Sequence, residues 1–489
     1  MERIMDSTGT RPRKLTLAEL RSEIVGINTP VPLLDGRERP YVFLDNAAST
    51  PTFKQVLTCV EKFLPWYSGV HRGTGFKALV ATEVFDRAHD IVGSFVGADL
   101  ATNHVIFTKN TTECVNKLAN RFAFSDDDIV ITTAVEHHSN LLPWRRYANV
   151  VHAGITADGH IDLPELQGLI RKHAGRVKLV AVTGASNITG ICSPIHEIAE
   201  WAHQAGAMIF VDAAQLVPHR PIAMLPDDHP QHIDFLAFSA HKMYAPFGIG
   251  VLIGPASFFA EGEPDVVGGG VVDVVTLDDV VWNETRHKDE AGSPNVVGGV
   301  ALAEAIGVLK QVGMDTIASH EKHLLEYAFD RLNKIDGLTF YGPTQRTADK
   351  VGVIAFTVDG MHHALVAAIL GAEWGIGVRN GYFCAQPYVK KLLNVSAEEE
   401  ATGCGTSGDK SNVPGMVRAS FGCYTNESDV DLFVEALGRI VKKEYAGQYD
   451  QDPASGVFVP QGMTFSLQKY FPFFDAGPTA TERSYSEAS

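Results

Sequence analysis

The sequence predicts an α/β protein: a large domain on a mainly parallel sheet, joined to a smaller α+β domain. Three observations predict it. Between Val42 and Gly254, short apolar runs recur with helical stretches between them, the alternation of a parallel sheet covered by helices. Several of these runs are continuously apolar, as strands buried on both faces are. After Gly298 the order changes to two helices followed by strand, helix, strand and helix.

In chain order, the expected strands of the large domain are 104–108, 128–133, 177–183, 207–211, 235–238 and 249–253, all rich in Val, Ile and Phe. Helices are expected at 112–121, 163–173 and 195–205. In the second unit, helices are expected at 300–312 and 316–335, a strand at 351–358, and a helix from His362. A strand near 417–421 and a helix at 427–443 follow. An N-terminal helix at 16–25 is expected to dock on the small unit. The predicted division is a large domain over 40–298, a small domain of 1–39 with 299–447, and a C-terminal extension over 448–489. Within the small domain, 397–411 (AEEEATGCGTSGDKS) reads as a long inserted loop. The tail's aromatic residues (KYFPFF at 469–474) predict that part of it packs, while 476–489 is expected to fray.

Composition narrows the function. The 489 residues are 45% hydrophobic and 20% charged, which suits a globular protein with a full core. The net charge of −17 argues against nucleic acid or an anionic membrane as partner. The short Arg11, Arg13, Lys14 cluster reads as a solvated arm. None of the six cysteines forms a CxxC pair, so neither a zinc ribbon nor a disulfide framework is expected. No apolar segment follows the N-terminal arginines, and no run approaches the ~18 residues of a membrane span. A soluble, cytoplasmic protein with reduced thiols is the expectation.

The chemistry concentrates at strand ends. The segment 233–250 (IDFLAFSAHKMYAPFGIG) runs from an apolar strand into Ser239, His241 and Lys242. A lysine leaving a buried strand has a lowered pKa and can serve as a Schiff-base nucleophile; taken alone it also fits a snorkelling surface residue. Ser239 and His241 can bind an anion such as phosphate. Asp212 ends another apolar strand, in VDAAQ, where a carboxylate can pair with a protonated pyridine nitrogen or simply cap a helix.

Three further segments suit the same ligand. In TKNTTEC, Thr111, Thr112 and a helix N-terminus can hold a phosphate, and Asn110 with Glu113 also reads as a plain cap. In VEHHSNLLPW, His137 offers a flat ring for stacking; the adjacent His137 and His138 lack further nearby ligands, so no metal is expected. Asn187, in ASNITG, is placed to touch a cofactor hydroxyl or to serve as a turn residue.

With these pieces in order, the chain resembles the fold-type I, class V aminotransferase-type pyridoxal-phosphate enzymes. Within them it is similar to Suf-type cysteine desulfurases and selenocysteine lyases. The resemblance runs from about Phe43 to about Lys443 and includes FLDNAAST at 43–50, HRG at 71–73, GGG at 268–270 and EAGSPN at 290–295. It implies pyridoxal 5′-phosphate held covalently by Lys242, with Asp212 at the pyridine nitrogen and Gln215 and Asn187 at the ring hydroxyl. It further implies His137 stacked on the ring, and Thr112, Ser239 and His241 on the phosphate. Family members are dimers, and Ser293 would reach into the neighbouring subunit's site, with Gly268–Gly270 turning beside the same phosphate.

The resemblance also assigns the reaction. In VRNGYFCAQP, Cys384 stands where desulfurases carry the thiol that takes sulfur from L-cysteine, and selenocysteine is a possible alternative substrate. Arg418 would bind the substrate carboxylate, with Arg379, His71 and Asn46 in the same cleft. A sulfur-acceptor protein or small thiol would follow, in sulfur mobilisation for iron–sulfur cluster assembly. Two features depart from the Suf-type pattern: Tyr382 and Phe383 replace two histidines, and the insertion with Cys404 lies between Cys384 and Arg418. A carbon–sulfur lyase, an amino-acid epimerase or an aminotransferase on the same fold needs Lys242 and Asp212 but not Cys384. An inactive scaffold or sulfur-carrier partner is the reading of a different class.

Overall fold

The structure is a computed structural model and describes residues 14–346, 349–396, 408–465, 467–471 and 483–484. Arg11, Arg13, Cys404, most of the inserted loop and most of the tail beyond Phe471 lie outside the described residues.

Seven strands form the central sheet: β1 (Asn103–Thr108), β2 (Ile129–Thr133), β3 (Asn149–Ala153), β4 (Val177–Thr183), β5 (Met208–Asp212), β6 (Phe235–Ser239) and β7 (Gly250–Pro255). Their order is β1-β7-β6-β5-β4-β2-β3. Strands β2 to β6 pair parallel, and β7 runs antiparallel between β6 and β1. β3 escaped the sequence pattern because it is a half-exposed edge strand. The continuous apolar runs are explained by burial: every residue of β2 and of β6 is buried.

Two helices absent from the expected set, Lys54–Phe63 and Phe76–Phe95, pack against the helix Val296–Val312. The boundary expected after Gly298 therefore falls inside a helix whose Val300, Leu302 and Ala305 belong to the main core. That helix ends at Gly313, where a φ of 92° turns the chain into the helix Met314–Leu332 at a 73° bend. Glycine adopts such a φ without steric cost.

The smaller unit has a four-stranded antiparallel sheet, Leu338–Tyr341, Val353–Val358, Met416–Ser420 and Arg379–Gly381 in spatial order. The helices Met314–Leu332, His363–Trp374 and Glu427–Val441 enclose a separate core with Phe356, Val417 and Phe433 at its centre. The N-terminal helix Leu17–Ser22 docks differently from expectation. Arg21 does reach the small unit through a two-pronged pair with Asp429 at 2.7 and 3.0 Å, but Leu20 and Ile24 bury in the main core with Phe53 and Val56.

Part of the C-terminal extension packs, though not at the aromatic motif, where Tyr470 and Phe471 are exposed and 472–474 lie outside the described residues. A hairpin of Tyr449–Gln451 and Phe458–Pro460 lies on the helix His363–Trp374. Lys410, at the end of the insertion, donates its N–H to the Pro453 carbonyl at 2.7 Å, and Gln451 donates to the Ser411 carbonyl at 2.9 Å. Among the described residues, no single helix is long and apolar enough to cross a membrane.

Candidate active site

The carboxyl ends of the parallel strands converge on one cavity of about 450 Å³. Ligands of open α/β sheets bind at this edge, where loops and helix N-termini can be furnished without disturbing the sheet. Asp212 is the last residue of β5 and Ser239 of β6. Lys242 follows in a short 3-10 turn, and the loops after β1, β2 and β4 bring in Thr112, His137 and Asn187. The small unit supplies the opposite wall with Arg379, Phe383, Cys384 and Arg418.

One corner is built for an anion. Thr111 N–H donates to Ser239 Oγ at 2.8 Å, and the two hydroxyls lie 2.7 Å apart. Helix Thr111–Arg121 starts there, capped by the Asn110 side chain on Glu113 N–H, so its N-terminal dipole end faces the cavity. Gly250 makes the corner possible. It pairs with both Thr108 and Ser239, and a Cβ on it would come within 2.5 Å of the Asn110 backbone.

Burial sets the protonation states. Desolvation lowers the Lys242 amine to about 8, partly opposed by the Asp212 charge. Burial raises Asp212, while the Ala214 N–H, at 3.0 Å, and the Lys242 charge oppose it. Burial and then the Lys242 charge bring His137 down to about 3, so its ring is neutral. Ser139 N–H donates to His137 Nδ1 at 3.1 Å, which leaves Nε2 carrying the proton. His241 falls to about 4 for the same reasons.

Fixed bonds cross the cleft. Asn187 Nδ2 donates to the Phe383 carbonyl at 2.8 Å, and Arg418 Nη1 donates to the Asn187 carbonyl at 3.0 Å. His138 N–H donates to the Cys384 carbonyl at 2.6 Å. The His138 ring accepts from Gln386 N–H at 3.2 Å. His138, read from the sequence only as half of a metal-like pair, is therefore an anchor of the cysteine loop. Phe383 and Cys384 take φ values of 51° and 55°, which presents the thiol as an exposed side chain.

Asp45 is the residue the sequence reading passed over. Its oxygens lie 2.8 Å from Arg418 Nη2 and 3.2 Å from Arg379 Nε. Arg418 is buried, its Nε has no partner, and its guanidinium stacks 5.0 Å from the Phe383 ring centre.

Two expected neighbours, Asn46 and His71, are not brought to the cavity of their own chain, and Ser293, expected at a neighbouring subunit's site, lies outside it as well. Asn46 spends its amide on the Phe43 and Ser420 carbonyls and accepts from Tyr424, so it secures the strand junction instead of facing substrate. His71 and Ser293 line a separate cavity of about 710 Å³, with Gly269 and Gly270 beside them. His71 there contacts Asp86 at 3.3 Å, and Gly269 accepts from Gly292 N–H at 2.7 Å. Gly268–Gly270, expected with Ser293 beside a neighbouring subunit's phosphate, do not line the cavity of their own chain. Gln215 does line the main cavity, with its amide on the Ala47 carbonyl at 2.6 Å.

The model of the class-V aminotransferase family matches residues 42–433. A probable cysteine desulfurase of Halalkalibacterium halodurans is 36% identical over 417 residues, 83% of this chain and 94% of that protein. A cysteine desulfurase of Haloferax volcanii is 35% identical over 82% of this chain and 90% of its own length. Among solved structures, the apo cysteine desulfurase of Thermococcus onnurineus superposes with a TM-score of 0.73 at 33% identity, covering 82% of this chain and 95% of that one. Cysteine desulfurase CsdA of Escherichia coli gives 0.72 at 30% identity, covering 88% and 100%.

The chain belongs to the class-V aminotransferase family, with the fold-type I architecture. Within that family it is a pyridoxal-phosphate enzyme of the cysteine desulfurase type. Its cavity fits the cofactor, because a lysine of depressed pKa, a buried aspartate and an anion corner line the same space.

Proposed function

We propose that the protein takes sulfur from free L-cysteine, releasing L-alanine and keeping the sulfur as a persulfide on Cys384. One observation carries this reading: Lys242 and Cys384 line the same cavity from opposite walls. Lys242 would hold pyridoxal 5′-phosphate, with Asp212 at its pyridine nitrogen and Gln215 and Asn187 near its hydroxyl. The Thr111–Thr112 helix start, Ser239 and His241 would hold its phosphate. The bound cofactor supplies an electron sink for the bond-breaking at the amino acid.

The chain's own residues do the rest. Arg418, with Arg379 beside it, holds the substrate carboxylate by charge-assisted hydrogen bonds. Lys242, whose amine sheds its proton near neutral pH, moves the Cα proton. His137, neutral and flat, covers the ring face and presents Nε2–H. The Cys384 thiolate attacks the substrate sulfur. The S–S bond forms, the Cβ–S bond breaks with its electron pair going to carbon, and the proton from the substrate thiol ends on the new methyl group.

An acceptor protein or small thiol then collects the sulfur, in iron–sulfur cluster assembly in the cytoplasm, and selenocysteine is an alternative substrate. A homodimer belongs to the same reading. Leu64, Trp66, Tyr67, Phe76 and Leu79, together with Val274, Val275 and Leu277, are large apolar side chains left exposed, the kind of surface a partner subunit covers. Pairing would let Ser293 meet a neighbouring cavity. Sulfide and alanine release from L-cysteine, measured for wild type and Cys384→Ala, tests the reaction. Equal release by both overturns it, and an active monomer in sedimentation overturns the dimer.

A further inference from the structure

At the ends of β5 and β6 opposite the cofactor cavity, three side chains converge. His203 lies in the last turn of the helix Ile195–Gln204, and His232 and Asp234 lie in the approach to β6. His203 Nε2 is 2.9 Å from Asp234 Oδ2, and His232 Nε2 is 3.3 Å from Asp234 Oδ1. The two imidazoles stack with centres 4.1 Å apart at 15°.

Hydrogen-bond direction determines what belongs between them. His203 Nδ1 is 2.8 Å from the Pro230 carbonyl, and His232 Nδ1 is 2.7 Å from the His229 carbonyl. A carbonyl oxygen only accepts, so each Nδ1 carries the ring proton, and Nε2 of a neutral ring is then a bare lone pair. Both lone pairs point at a carboxylate, which is also an acceptor. Asp234 Oδ2 takes the Ile209 N–H at 2.8 Å as well, which fixes the carboxylate but places no donor between it and the rings. Three acceptors facing one another need positive charge among them. Two added protons would put like charges on rings stacked 4.1 Å apart, whereas one cation satisfies all three. An Nδ1–H bonded to a backbone carbonyl is also how metal-binding imidazoles are oriented.

We infer that His203, His232 and Asp234 bind one divalent cation of the zinc type, with water completing the coordination. Two imidazoles and a carboxylate are a borderline-soft donor set that suits zinc. Zinc–nitrogen bonds of about 2.0–2.1 Å at tetrahedral angles put neighbouring donors roughly 3.3 Å apart, against 2.9 and 3.3 Å from the two imidazoles to Asp234, with all three ligand atoms within 4.8 Å of one another. The side chains are 20%, 19% and 9% exposed, so the site has an entry path. No metal was expected from the sequence, where these ligands are scattered and only His232 and Asp234 are close neighbours. The cation would clip a helix end to two strand starts, and those strands carry Asp212 and Ser239 at their far ends.

The test uses the cofactor-loaded protein, treated with EDTA and then titrated with Zn²⁺ alone. Bound metal is counted per chain and the Tm is followed. The expected result is one tightly held zinc and a Tm that rises with it. His232→Gln and His203→Gln should each weaken zinc binding at least about tenfold and remove the Tm rise. Their Tm in EDTA and their bound cofactor should stay as in wild type. Asp234→Asn is the weaker probe, because that carboxylate also holds Ile209. If no zinc is retained at micromolar free metal, the inference is wrong. If both histidine variants bind zinc like wild type, the metal sits elsewhere and the inference is also wrong.

Discussion

Asp45 holds Arg418 by a 2.8 Å charge pair at the mouth of the cofactor cavity, and its second oxygen reaches Arg379. The partners come from sequence positions 373 residues apart, so the pair ties the start of the large domain to the small unit's sheet.

Asp45→Asn leaves a buried guanidinium without its counter-charge. Breaking a fully buried pair costs about 3–5 kcal/mol, and the partial exposure of Asp45 should hold the loss to roughly 3 kcal/mol or less. Urea unfolding of the cofactor-loaded protein measures it. The KM for L-cysteine should change more than kcat if Arg418 is the carboxylate anchor proposed above. Wild-type stability and KM in the variant would contradict the pairing.

Lys242 must be neutral to bond a carbonyl, and burial has brought its amine to about 8. The rate at which cofactor-free protein takes up pyridoxal phosphate should therefore rise as pH climbs through 8 and level off above it. The Asp212 charge favours the protonated amine, so Asp212→Asn should move the midpoint to lower pH. Stopped-flow absorbance follows the attachment. A midpoint near the ordinary lysine value would rule out the desolvated amine.

Much of this site was legible because its pieces lie next to strand ends, and strands β4 and β6 are nearly as the sequence predicts. Parallel and antiparallel buried strands carry the same apolar run, so the reversal of β7 left no trace. Asp45 stood inside FLDNAAST without a signal of its own, because its meaning comes from two distant arginines. His71 and Ser293 share a cavity with each other and not with Lys242, a grouping that only the folded chain reveals. The boundary expected after Gly298 falls inside a helix, because a glycine-rich helix start, Gly298–Gly299, reads as a break until its packing on Ile249 and Phe85 is seen.

Gly250→Ala should damage the anion corner. The new Cβ would meet the Asn110 backbone at 2.5 Å, and backbone cannot swing aside as a side chain can. Overpacking of this kind costs about 1–3 kcal/mol. Cofactor content after dialysis should fall with it, because the Asn110–Thr111 turn and Ser239 are forced apart. Full retention of cofactor would show that the corner does not hold the phosphate.

Cys384→Ala separates sulfur transfer from the other reactions this fold performs. The variant should still bind cofactor and L-cysteine, since Lys242 and Asp212 are untouched. Its sulfide and alanine output should fall by orders of magnitude, because the sulfur has lost its nucleophile. Mass spectrometry after a cysteine pulse should find one added sulfur on the wild-type peptide containing Cys384. Cys404→Ala and the double variant should be assayed alongside, since Cys404 is the other thiol of this stretch of chain. Wild-type turnover by Cys384→Ala would hand the protein to the lyase or epimerase class.

The bonds from Asn187 to Phe383, from Arg418 to Asn187 and from His138 to Cys384 make the cleft a braced joint. Cys384, the proposed nucleophile, rides on one half of the molecule and Lys242 on the other. A tilt of about 4° acting over an arm of about 15 Å, the length of a five-residue strand, would shift the thiol by about 1 Å. Misplacement on that scale is enough to slow a reaction by about a hundredfold. Stiffness between the halves is therefore a kinetic property of this enzyme, and slack introduced far from the cavity should register first in the transfer of sulfur.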